Sequence, residues 1–170
     1  MMVLEFAEGG DLRNYLERNK TLSWREKIRN IYNIALGLDK IHENGTMHRD
    51  LHVGNILIHN NQACITDMGP VSNIEQECSY GVVFYMAPEV IRNQGYTTAA
   101  DIYSFGVLVY QIISGLPPYY DRINDTFLGA KICGGLRPQF IMEVPQLISD
   151  LKERCLDGDP SVKEANSRRN

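Results

Sequence analysis

At 170 residues the chain suits one domain or one large lobe, long enough to bury a core without disulfide or metal staples. Hydrophobic residues make up 44% and charged residues 22%, the balance of an ordinary soluble globular protein. A net charge of −4 excludes the basic footprint of a nucleic-acid or anionic-membrane binder. The four cysteines, Cys64, Cys78, Cys133 and Cys155, are widely spaced with no C-x-x-C pair. That argues against a zinc ribbon or a disulfide scaffold and for a reducing, cytoplasmic setting.

Met2 to Phe6 is a short apolar run that reads as a strand, interrupted by Glu5 and Glu8 and so unlike a signal peptide. After Gly9-Gly10, Asp11 is placed to cap a short helix with Leu12, Tyr15 and Leu16 on one face. Ser23 and Glu26 form the spacing of a capping box. The helix it opens carries Trp24, Ile28, Ile31, Ile34, Ala35, Leu38 and Ile41 at helical period and ends at Asn44-Gly45. Two β-rich runs, 56–58 and 63–66, flank Asn60-Asn61 and predict a small hairpin. Residues 68–86 have no period and read as loop. Thr98 to Ser114 is apolar nearly all round, which predicts a helix at the domain centre, stopped by Gly115 and Pro117-Pro118. Its apolar stretch, Ile102 to Leu116, is too short and too interrupted to span a bilayer. Amphipathic helices follow near 125–133 and 145–156, the second with Pro145 in its first turn. The last residues are polar and read as a frayed tail. Trp24, Tyr103, Phe105 and Tyr110 are expected in the core.

Four motifs stand in order: His48-Arg49-Asp50-Leu51-His52-Val53-Gly54-Asn55, then Asp67-Met68-Gly69 twelve residues beyond Asn55, then Ala87-Pro88-Glu89, then Asp101-Ile102-Tyr103-Ser104-Phe105-Gly106. Each alone is weak. Together, in this order and on these elements, they resemble the protein kinase signature H-R-D-x-x-x-x-N, D-F-G, A-P-E and D-x-x-S-F-G. The resemblance runs from about residue 2 to 163, and Tyr85-Met86-Ala87-Pro88-Glu89 favours the tyrosine-kinase-like branch of the Ser/Thr kinases.

The resemblance implies an α+β, predominantly helical kinase C-terminal lobe with a small hairpin and a central buried helix. Residues 1–10 would be the end of an N-lobe strand and the hinge, 11–160 the lobe itself, and 161–170 the tail. The implied reaction is transfer of the ATP γ-phosphate to Ser/Thr hydroxyls of protein substrates, with ATP and Mg2+ as cofactors. Phosphoryl transfer asks the protein mainly to position groups and neutralise charge. Asp50 matches the base that takes the hydroxyl proton, within a catalytic loop that includes Arg49, His52 and Asn55. Asn55 and Asp67 match the hard oxygen ligands magnesium requires. By the same resemblance the backbone of Glu5 and Ala7 meets the adenine edge, Leu57 floors the adenine pocket, and Asp11 reaches the ribose. Asp101 ties the central helix to the catalytic-loop backbone. Glu89 pairs with a basic residue near the end of the lobe, a place that Lys163 occupies. Arg49 senses activation-loop phosphate, for which Ser72, Ser79 and Tyr80 are candidate acceptors.

Several positions depart from the pattern. Met68 replaces phenylalanine, and Pro70 removes a backbone donor just after the metal-binding loop. His52 stands where a lysine contacts the transferred phosphate, and Val82 where a threonine bonds that lysine. Lys163 cannot reproduce a bidentate arginine pair. No glycine-rich loop or V-A-I-K lysine precedes the hinge, so the N-terminal β lobe is expected to be missing, to be supplied by a longer chain or an equivalent partner. No nucleic-acid or membrane partner is expected. His48 and His52, four apart, suggest a metal pair only on a helix, and the segment reads as loop. Two functions stay open: a partial working kinase whose isolated chain is inactive, and a pseudokinase or scaffold that keeps the lobe as a binding module.

Overall fold

The structure, a computed structural model, describes residues 7–68, 83–122 and 125–161. The chain runs α1 (Leu12–Arg18), α2 (Trp24–Glu43), β1 (Ile56–His59), β2 (Gln62–Ile65), α3 (Pro88–Ile91), α4 (Thr98–Ser114), α5 (Leu128–Cys133) and α6 (Gln146–Cys155). This is the predominantly helical α+β arrangement expected. The start of each early element is written locally. The Asp11 carboxylate accepts the Asn14 N–H at 2.8 Å and opens α1. Ser23 and Glu26 form the reciprocal capping box at α2. In the hairpin, β1 pairs antiparallel with β2, Ile56 opposite Ile65 and His59 opposite Gln62. Asn60 and Asn61 both take positive φ, the turn that matches strand twist.

Helix α4 is the axis of the molecule. Fourteen of its seventeen residues are buried, because α2 and α6 pack against it and the turn Val83–Tyr85 lies across it. α2 also packs on β2, where Ile65 meets Gly37. A β-carbon at Gly106 would sit 2.7 Å from that of Cys155, so the glycine lets α6 approach α4. Gly115 ends α4 in the left-handed conformation at φ 71°. α5 begins at Leu128, three residues later than the 125 expected, and Pro145 is the N-cap of α6 rather than a residue inside its first turn.

One core expectation is corrected. Tyr103, Phe105 and Tyr110 are buried, but Trp24 is 42% exposed and Ile28 is 41% exposed. The buried face of α2 holds Asn30, Ile31, Ile34 and Leu38. Each step of four residues advances about 40° round a helix, so the run 24, 28, 32, 36 walks off that face. Trp24 instead lies under the Lys27 ammonium, 5.6 Å from the ring centre.

The run at 2–6, Gly69, Pro70, Ser72, Cys78, Ser79, Tyr80, Val82, Lys163 and the tail lie outside the described residues. Among the described residues, no helix is long and apolar enough to cross a membrane.

Candidate active site

The candidate site is built where the loop after α2 meets the segment leaving the hairpin. His48 is fully buried. Its Nδ1 accepts the Asp50 N–H at 3.3 Å, so its Nε2–H donates to the Thr66 carbonyl at 2.9 Å. Thr66 returns the link, its N–H and its hydroxyl donating to the Asn55 carbonyl at 2.9 and 3.3 Å. One imidazole and one threonine therefore lock the Asp50 loop to the strand that delivers Asp67. Asp67 itself is exposed, in the left-handed region at φ 54°, its Oδ2 accepting from the Thr66 hydroxyl at 3.4 Å.

Asn55 closes the loop on itself. Its Nδ2 donates to the Asp50 carbonyl at 2.9 Å and to Asp50 Oδ2 at 3.1 Å. Both bonds need the amide nitrogen, which leaves Oδ1 as a hard oxygen ligand in reserve. That oxygen and the exposed Asp67 carboxylate are a donor set that suits magnesium. The residues present therefore fit the ion.

Asp50 is half-buried. The His52 imidazole, 3.6 Å away, holds its carboxyl below the usual aspartate range; burial opposes this, and Asn55 adds to it. The group is thus a carboxylate at neutral pH, able to accept a proton.

Beneath the loop, Asp101 in the first turn of α4 is wholly buried and accepts four hydrogen bonds. The N–H groups of His48 and Arg49 reach it at 2.8 and 3.0 Å, His42 Nε2 at 2.9 Å and the Tyr96 hydroxyl at 2.8 Å. This is the tie between the central helix and the His48–Asn55 loop that the resemblance implied. It holds Arg49 at a positive φ of 71°. Burial alone pushes the Asp101 carboxyl up, but these donors outweigh it and hold the carboxyl below its ordinary value.

The expected nucleotide contacts are placed unevenly. Ala7 is half-buried and its carbonyl accepts the Gly10 N–H at 3.1 Å; Glu5 lies outside the described residues. Gly9 and Gly10 bond to Ile58 along β1, which sets Asp11 beside Leu57 as a bridge. Both Asp11 carboxylate oxygens accept from Asn14, one bond each, at the helix cap. Leu57 is half-buried on β1.

Sequence reasoning missed His42, 59 positions from Asp101, and Tyr96, five positions before it. It also missed the bracket at Tyr85, whose hydroxyl donates to Gln111 while its carbonyl accepts from Ser104 at 2.8 Å. The usable hint was polar residues inside an apolar helix: Ser104 and Gln111 on α4 needed partners.

The profile described as the protein kinase domain matches residues 1–164. A probable serine/threonine-protein kinase of Dictyostelium discoideum is 30% identical over 169 residues, 96% of this chain and 10% of that protein. Protein kinase 2 of the same organism is 35% identical over 164 residues, 92% of this chain and 33% of its own length. Serine/threonine-protein kinase STY17 of Arabidopsis thaliana is 28% identical over 172 residues, 95% of this chain and 30% of its length. The chain thus spans from a tenth to a third of these relatives.

Proposed function

The chain belongs to the protein kinase family, and from that premise we propose that it is the C-terminal lobe of a Ser/Thr protein kinase. In its complete form it transfers the ATP γ-phosphate to protein hydroxyls. The observation that carries this reading is the convergence of Asp50, Asn55 and the segment bearing Asp67, held together through His48 and Thr66. A packed fold does not by itself need an ionised Asp50, an open Asn55 Oδ1 and an exposed Asp67; phosphoryl transfer needs all three.

In this reading Asp50 takes the proton from the substrate hydroxyl as its oxygen attacks the γ-phosphorus and the bond to the ADP oxygen breaks. Asn55 steadies Asp50 through its amide and, with Asp67, holds magnesium. When bound, magnesium neutralises charge on the phosphates. Ala7 and Glu5 offer backbone to the adenine edge and Leu57 an apolar floor. Arg49 and His52 complete the loop, and residues 11–160 form the lobe. Asp11 reaches the ribose with the acceptor capacity its cap to Asn14 leaves, each oxygen accepting one bond there. In this reading the protein works in a reducing, cytoplasmic setting.

The test is Asp50→Asn in a form that includes a nucleotide-gripping lobe. Phosphate transfer is expected to fall by about 10²–10⁴-fold with an unchanged thermal midpoint. Transfer at the wild-type rate would remove Asp50 as the base. A second reading, a pseudokinase or scaffold, is favoured by one observation, the imidazole of His52 where an ammonium is expected. Absence of transfer from the folded wild-type complete protein would select it.

A further inference from the structure

His52 folds back over the turn that follows it. As the N-cap of the turn Val53–Asn55, its Nδ1 accepts the Gly54 N–H at 3.0 Å. Its ring lies 6.1 Å from that of Tyr85, and its side chain is 16% exposed. An amide N–H can only donate. Nδ1 must therefore carry the lone pair, and in the neutral ring the proton sits on Nε2. Nε2 points at Asp50, 3.6 Å from Oδ2, the oxygen that also accepts from Asn55. That separation is longer than a hydrogen bond. Contacts of this kind tighten when the reacting complex assembles.

Gly54 is what admits this arrangement. A β-carbon there would stand 2.9 Å from His52 Cε1 and 3.0 Å from Nδ1. A side chain at 54 would crowd the ring and make it shift against the amide. Positions 52 and 54 are therefore matched: the imidazole needs the amide to choose its tautomer, and it needs the missing β-carbon to reach that amide.

Resting on the phosphotransfer reading above, we propose that Gly54 and His52 are a positioning pair for Asp50. The Gly54 amide fixes the imidazole as its Nε2–H tautomer, and that N–H orients Oδ2, leaving Oδ1 to take the substrate proton. A neutral N–H donor differs from an ammonium in one respect. It aims the base without adding positive charge beside the transferred phosphate.

Two separate readouts test the pair. The first is long-range proton–nitrogen NMR on the 170-residue chain with labelled histidine, His52 being identified by its loss in His52→Gln. The expected spectrum shows His52 with a pyrrole-type Nε2 and a pyridine-type Nδ1; a dominant Nδ1–H ring overturns the proposal. In Gly54→Ala the pure Nε2–H pattern should be lost while the other three histidines keep theirs. An unmoved His52 pattern in that variant overturns the role of Gly54. Should Gly54→Ala not fold, the wild-type spectrum and the His52 variants still decide.

The second readout is steady-state transfer by the complete kinase. His52→Ala and Gly54→Ala should each lower kcat about tenfold with little change in KM for ATP, and the double variant should be no worse than either. His52→Gln, which keeps an N–H near the Nε2 position, should recover most of the loss. Additive losses, or a His52→Gln no better than His52→Ala, overturn the pairing. An Nε2–H ring in a wild-type protein that transfers nothing sinks the enzyme reading instead, whereas an active wild type with an Nδ1–H ring sinks the pair.

Discussion

Asp101 accepts four donors on two oxygens with no access to water. Removing it strands two backbone N–H groups, a histidine and a tyrosine hydroxyl. Each unmet buried donor costs about 1–3 kcal/mol, so Asp101→Ala is expected to lose ~3 kcal/mol or more, read as a lower urea midpoint. The same site sets an acid limit. Its carboxyl is held below the ordinary 3.8 in the folded state, so its contribution is complete above that value. The contribution is lost as pH falls below 3.8 through the folded pKa. Urea midpoints should therefore drop more steeply below about pH 4 in the wild type than in Asp101→Asn, which has no proton to gain. The residue type was legible from the motif. Its partners were not: His42 lies 59 positions away, at the far end of another helix, and nothing local marks the meeting.

At the scale of elements, local physics was readable and packing was not. The capping box at Ser23 and Glu26, the paired asparagines of the hairpin and the all-round apolar α4 each carry their signal within a few residues. Those elements form where expected. Helix α2 shows the limit. Its period predicted a helix correctly, yet Trp24 was assigned to the core and stands exposed, as does Ile28 of the same period, while Asn30 is buried. Hydrophobic period gives a face, but only neighbours decide where that face is covered. Among the described residues, neither side-chain polar atom of Asn30 has a hydrogen-bond partner. A buried unpaired amide is a cost. Asn30→Leu, similar in volume, is expected to raise stability by about 1 kcal/mol, seen as a higher urea midpoint with unchanged slope.

For the whole molecule, the question is how much nucleotide affinity this chain can supply by itself. In the proposed reading two hinge hydrogen bonds would contribute roughly 0.5–1.5 kcal/mol each. Micromolar binding needs about 8 kcal/mol. Leu57 offers one apolar face, and the sequence contains no glycine-rich loop or partner lysine to enclose the phosphates. Isothermal titration of the chain with Mg-ATP is therefore expected to show no micromolar binding. Heat signals fitting a micromolar Kd would overturn that expectation.

Asp50, Asn55 and Asp67 were proposed from motif order and the family resemblance, because each motif is a short run of chain that can be read locally. The hydrogen-bond partners that make the loop rigid were decided by the tertiary structure. His48 reaches Thr66 across the hairpin, and Asp101 reaches the loop from α4. So was the fate of His52: the sequence showed only that a lysine was absent. The fold turned the imidazole onto the Gly54 amide and aimed its other nitrogen at Asp50. The reason is directional. Residue identity supplies a donor or an acceptor, but a hydrogen bond exists only when the fold brings the two within about 3 Å and in line.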